Sequence, residues 1–138
     1  MLYDAIRYFY YQRQGIELVE PYAEGFARRD MTPTDVAVRS QITAMSKTWE
    51  LSKGWYDAGD FGKYVNAGST ALSDLFWTYE MFKEQMKNFD FNIPESGDDI
   101  PDILDEARWE LEWMLKMQDK ASGGFYPRVQ SDDDNNIT

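Results

Sequence analysis

Between Ile100 and Gln118 apolar residues return every three or four positions, at Ile103, Leu104, Ala107, Leu111, Met114 and Leu115, with Asp105, Glu106, Arg108 and Glu112 falling between them. That period collects the apolar set on one face of an α-helix, and such a face must be buried against another element. Pro101 suits the first turn of this helix, and Asp98 or Asp99 stands where a cap is needed.

Two further segments carry the same period. Ser69 to about Gln85 has Leu72, Leu75, Phe76, Tyr79 and Phe82 on one stripe. Leu2 to Gln14 has Leu2, Ile6, Phe9 and Tyr10, with Tyr3, Tyr8 and Tyr11 around them and Gly15 as a stop. The first helix is therefore apolar or aromatic on most sides and packs between neighbours. The expected class is all-α, because helix, loop, helix, loop, helix with buried aromatics suits a bundle or a helical toroid.

Between these segments the pattern fades. From Gly15 to Lys53 it is broken by Pro21, Gly25 and Pro33, and a long irregular connection inside a domain is usually functional. Within it Val36-Ala37-Val38 and Gln41-Ile42-Thr43 are short and strand-like, although Thr34-Asp35 could equally cap a helical turn. Asn88 to Asp99 reads as a loop, and Ser122-Gly123-Gly124 breaks the pattern before an extended Phe125 to Val129. An acidic, polar tail follows from Ser131 to Thr138.

Composition narrows the chemistry. Aromatics make up 16% of the 138 residues, too much buriable surface for a disordered chain. The 25 acidic and 14 basic residues leave a formal charge of -11, which repels nucleic acid and anionic membrane surfaces. No Cys or His is present, so thiolate and imidazole zinc sites and Cys or His nucleophile and base arrangements are excluded. Acid–base work must come from carboxylates, Lys or Tyr. No apolar run approaches the roughly 20 residues that span a bilayer, and Met1-Leu2-Tyr3-Asp4 lacks the pattern of an export signal.

The candidate chemistry lies in Gly54-Trp55-Tyr56-Asp57-Ala58-Gly59-Asp60-Phe61-Gly62-Lys63-Tyr64. Asp57 and Asp60 stand three positions apart, with Gly59 and Gly62 permitting a tight turn. Two such carboxylates share a proton, coordinate a cation or hold a water between them. The structural alternative is that Asp57 caps a turn and Asp60 a short helix, with the aromatics as ordinary core. Asp98, Asp99, Asp102 and Asp132-Asp133-Asp134 form other acidic groups, but none follows the spacing of an EF-hand loop. Asn136-Ile137-Thr138 fits a glycosylation acceptor, a pattern short enough to arise by chance.

The stretch from Gly54 to Tyr64 resembles the Asp-Ala-Gly-Asp signature of glycoside hydrolase family 9, which contains inverting endoglucanases and related cellulases. Tyr8-Phe9-Tyr10-Tyr11-Gln12-Arg13 with Gly15 is similar to the family's first barrel helix, Ile100 to Gln118 to another, and Gly123-Gly124-Phe125-Tyr126 to the strand after it. The resemblance implies part of an (α/α)6 barrel in which Asp60 is the general base and Asp57 helps hold the attacking water. It implies a secreted or cell-surface enzyme acting on β-1,4-glucans, with Trp55 and Tyr56 beside the base, lining the substrate cleft or packing as core.

Inversion also needs a protonated carboxyl about 6.5–9.5 Å from the base. The family's catalytic acid is a Glu far toward the C-terminal end of its domain, and no position here matches that motif. The 138 residues are thus expected to form the N-terminal part of one catalytic domain, incomplete by itself, with another segment or a second chain supplying the Glu. Family members can carry structural calcium, for which no ligand maps onto this chain, and no cofactor is required for catalysis. The alternative is a non-catalytic carbohydrate-binding or inactive fragment of the same fold.

Overall fold

The computed structural model describes residues 1–30, 50–59 and 61–129, together with the backbone of 38–39 and 46–47. The expected helices are present: α1 (Leu2–Gln12), α2 (Val65–Met81), a single turn α3 (Lys83–Met86) and α4 (Asp102–Lys116). Two-residue strands complete the set. β1 (Val38–Arg39) pairs with β2 (Ser46–Lys47), and β3 (Lys63–Tyr64) pairs with β4 (Arg128–Val129), both antiparallel. Gln41-Ile42-Thr43 and the tail from Ser131 to Thr138 lie outside the described residues.

α1 ends two residues earlier than its apolar pattern suggests, because Arg13 leaves the helix for extended backbone (φ -57, ψ 127) and bridges Trp55 instead. Ile6 and Tyr10 are buried on its inner face, and so is Arg7. The Arg7 guanidinium is accommodated because it donates to the carbonyls of Asn92 (2.6 Å) and Tyr22 and to the Tyr11 hydroxyl (2.8 Å), between the rings of Tyr10 and Tyr11. Both terminal nitrogens find acceptors and the cation lies over π-faces, which offsets its loss of water, while Nε has no hydrogen-bond partner among the described residues.

α2 begins at Val65, directly from β3, and buries Leu72 and Leu75. It stops at Phe82, whose backbone (φ -125, ψ 36) departs from the helix. Phe76 and Phe82, expected on the buried stripe, are exposed instead, beside Trp77 at 66% and Met81 at 70%.

The buried face of α4 is rotated from the one its apolar residues define. Ile103, Glu106, Ala107, Glu110, Trp113 and Met114 point inward, whereas Leu111 and Leu115 are exposed. Asp105 and Glu106, expected to face away, are buried. The reason is that donors from three other segments meet the α4 carboxylates, so the face with the most hydrogen-bond partners wins over the face with the most methyl groups. The helix starts at Pro101 without a side-chain cap; Asp98 accepts from the Ile100 amide (2.7 Å), and Asp102 turns inward to the Phe91 amide (2.8 Å) and the Ser96 hydroxyl. Asp105 sits 3.4 Å from Arg108, and burial, reinforced by nearby Asp98, pushes its carboxyl up to about 6.

α2 and α4 form the main helix pair, and Gly68 lets them close. A Cβ at Gly68 would overlap the Glu110 carboxylate and come 2.8 Å from Met114 Cε. Gly54 is a second close approach: it has φ +83, and a Cβ there would meet Trp113 Cγ at 2.8 Å. Trp113 is fully buried and has nowhere to retreat. Gly54→Ala is expected to cost about 2–4 kcal/mol, combining left-handed backbone strain with overpacking, as a lowered urea midpoint at unchanged slope would show.

Candidate functional site

The segment Gly54–Tyr56 lies between the end of α1 and the inner face of α4. On the α1 side, Gln14 N–H donates to the Gly54 carbonyl and Tyr56 N–H to the Gln12 carbonyl, each at 2.9 Å. On the α4 side, Trp55 N–H donates to Glu110 Oε2 (2.7 Å) and its indole Nε1–H to Glu106 Oε1 (2.8 Å). The Phe9 ring covers Trp55 at 4.5 Å. Trp55 is held through its main chain on both edges and through its side chain, so the residues that follow leave from a fixed place.

Glu106 is 1% exposed and is met by Arg13, also 1% exposed, through Nε at 3.1 Å and Nη2 at 3.0 Å. Arg13 Nη1 reaches Glu95 at 2.9 Å, and the guanidinium lies 4.5 Å over the Trp109 ring. Burial alone disfavours the Arg13 cation, but Glu106 and Glu95 outweigh it and hold the guanidinium firmly charged. Among the described residues no such cation is in contact with Glu110. Burial pushes its carboxyl up to about 7, against the Trp55 amide and the more distant Lys63, which favour the ionised form.

Beyond Tyr56 the chain turns. Asp57 N–H donates to the Gly62 carbonyl (2.9 Å) and Phe61 N–H to the Ala58 carbonyl (3.0 Å), closing a loop from 57 to 62. Among the described residues of this loop the left-handed one is Phe61 (φ +56), not Gly59 or Gly62. Gly62 is required for another reason: a Cβ there would come 2.8 Å from the Tyr64 ring. Lys63 then anchors the far side, its buried ammonium donating to the carbonyls of Leu51 (2.6 Å) and Lys53 (2.8 Å) and to Gln14 Oε1 (3.2 Å).

Asp57 is exposed at the lip of a cleft of about 200 Å³ whose walls include Phe9, Trp55, Tyr56, Gly68 and Glu110. Among the described residues no hydrogen bond reaches its carboxylate, so the capping role considered for it lacks its bond, and its lone pairs face the cleft and solvent. Trp55 and Tyr56 are nearly buried, yet each contributes to the cleft wall. Asp60 lies outside the described residues. Among the described residues no cluster of three or more carboxylates is placed to hold a metal ion; Asp98 and Asp102 serve local turns.

Arg13, Glu106, Glu110 and Lys63 escape a reading based on apolar period. Glu106 and Glu110 stand one turn apart on the face of Ile103, Ala107 and Met114, and that coincidence is the signal that marks them.

The model of the family described as Glycosyl hydrolase family 9 matches residues 1–137. Endoglucanase C of Cellulomonas fimi is 41% identical over 134 residues, covering 83% of this chain and 12% of that protein. A xyloglucan-specific endo-β-1,4-glucanase of Bacteroides ovatus is 35% identical over 130 residues, covering 91% of this chain and 22% of that protein. A solved structure of a Bacteroides ovatus GH9 protein superposes with a TM-score of 0.84 at 34% identity, covering 91% of this chain and 24% of its own. The chain thus spans at most about a quarter of the length of these relatives. The solved structures are (α/α)6 barrels, and this chain is an all-α part of that architecture.

Removing one partner of a buried ion pair leaves the other charge unpaired. Arg13→Ala is therefore expected to destabilise the protein by about 3–5 kcal/mol and to loosen Trp55, measured as a lowered urea midpoint and a red-shifted tryptophan emission.

Proposed function

The chain belongs to glycosyl hydrolase family 9, and from that membership we propose that it forms the N-terminal part of a catalytic domain that hydrolyses β-1,4-glucosidic bonds in cellulose or a related β-glucan with inversion. Asp60 is the general base, and Asp57 orients the water. The observation that carries this reading is the Asp57 carboxylate at the cleft lip, exposed and without a described hydrogen bond, on a turn pinned at both ends. A carboxylate that orients the attacking water needs open lone pairs and a fixed position, and this turn supplies both features at Asp57.

The reaction consumes one water and breaks one glycosidic bond. The water oxygen attacks the anomeric carbon, its proton passes to Asp60, and the leaving oxygen takes a proton from a carboxylic acid on the other face of the sugar. In this reading that acid is a Glu outside the 138 residues, carried by another segment or a second chain. The exposed Phe76, Trp77 and Met81 on α2 and Leu111 and Leu115 on α4 support it, because large apolar side chains left in solvent are suited to docking. Trp55 and Tyr56 give the cleft apolar walls suited to a sugar ring. A secreted or cell-surface enzyme fits a polymeric substrate, and no helix among the described residues is long and apolar enough to cross a membrane.

A sugar-binding module without turnover is the competing reading, and one experiment separates the two. In the complete enzyme on a soluble β-glucan, Asp60→Ala is expected to lower kcat by about 10²–10⁴-fold with the helical circular dichroism unchanged, and Asp57→Ala by less. Near-normal turnover in Asp60→Ala would reject the assignment, while a wild-type protein that retains cello-oligosaccharide without releasing product would establish the binder. The isolated 138-residue chain is expected to hydrolyse the same glucan far more slowly than the complete enzyme; equal rates would defeat the shared-site proposal.

A further inference from the structure

Glu110 is a buried carboxylate in the middle of α4 with no cation in contact among the described residues, yet it lines the cleft. Its two oxygens have different neighbours. Oε2 accepts the Trp55 amide at 2.7 Å, and Oε1 occupies the space that the missing side chain of Gly68 leaves open on α2. Among the described residues α4 also meets this segment through the Trp109 carbonyl, which accepts the Gly54 N–H at a longer 3.3 Å, and through Glu106, which accepts the Trp55 indole at 2.8 Å. On the opposite edge, the main chain of Gln12 and Gln14 holds Tyr56 and Gly54. The direction in which the chain leaves Trp55 toward Asp57 is thus set by α1 on one side and by Glu110 on the other.

We infer that Glu110 is a positioning residue for the proposed hydrolysis: by accepting the Trp55 amide while wedged against Gly68, it fixes the Asp57 turn relative to α2 and the cleft. This rests on the proposed function for its catalytic consequence, but the hydrogen bond itself is testable separately. The bond needs an acceptor and not a charge. Lys63 on β3 and Glu106 one turn away on α4 bear on Glu110 electrostatically, while Asp57, Tyr8, Tyr56 and Tyr64 share the cleft wall. A glutamine keeps the acceptor oxygen and the volume; an alanine removes both.

The test uses the complete enzyme with Glu110→Ala, Glu110→Gln and, as a reference, Asp60→Ala. On a soluble β-glucan, Glu110→Ala is expected to lower kcat by about 10–100-fold, with a far smaller change in KM, since a displaced catalytic group costs rate on that scale. Glu110→Gln is expected to recover most of kcat. Hydrogen exchange read by mass spectrometry on the peptide spanning Trp55 to Asp57 should quicken in Glu110→Ala and stay near the wild-type rate in Glu110→Gln. Wild-type kcat in Glu110→Ala, or a folded Glu110→Gln as slow as the alanine variant, would overturn the inference. So would unchanged exchange in Glu110→Ala. Should Asp60→Ala retain full turnover, the proposed function fails, and the exchange measurement alone then decides whether Glu110 holds the turn.

Discussion

The buried pair of Arg13 and Glu106 is the interaction on which the rest of the arrangement depends. Arg13 stands where α1 ends, and its guanidinium cannot shed its charge, so wherever it is buried it must find acceptors. Glu106 and Glu95 provide them, and Glu106 takes the Trp55 indole as well. A buried ion pair of this kind adds little net stability over an apolar core of the same volume, but its geometry is demanding. Here that geometry joins α1, the loop before α4, α4 itself and the segment that leads to Asp57.

The same requirement explains which way α4 faces. Four buried carboxylates, Asp102, Asp105, Glu106 and Glu110, would be untenable against an apolar neighbour. Glu106 is met by Arg13 and the Trp55 indole, Glu110 by the Trp55 amide and Asp102 by the Phe91 amide and Ser96 hydroxyl, while Asp105 has a partial partner in Arg108. The helix accordingly turns its acids inward and leaves Leu111 and Leu115 outside, while Ile103, Ala107, Trp113 and Met114 join the apolar core.

Much of this was legible from residue types. The three helices follow from spacing, and Gly59 and Gly62 were read as permitting a tight turn, whereas the close approaches of Gly54 to Trp113 and of Gly62 to Tyr64 arise for reasons no local pattern contains. Gly68 stood just outside the helix expected from Ser69 and carried no signal, because its purpose is the carboxylate of a residue forty-two positions away. Phe61 could not be marked as the left-handed position, since a neighbouring glycine is the cheaper choice on local grounds. The inward rotation of α4 was hidden because apolar periodicity weighs methyl groups and is blind to hydrogen-bond partners brought from elsewhere.

By itself the sequence determined the helical class, the absence of thiol and imidazole chemistry, and the spacing of Asp57 and Asp60 three positions apart, because period, composition and spacing are local quantities. Only the tertiary structure decided that Trp55 is clamped between α1 and α4, that Glu106 and Glu110 face inward, and that Asp57 emerges at the lip of a cleft. Those outcomes depend on which distant donors meet which acceptors, and that matching exists only once the chain has folded.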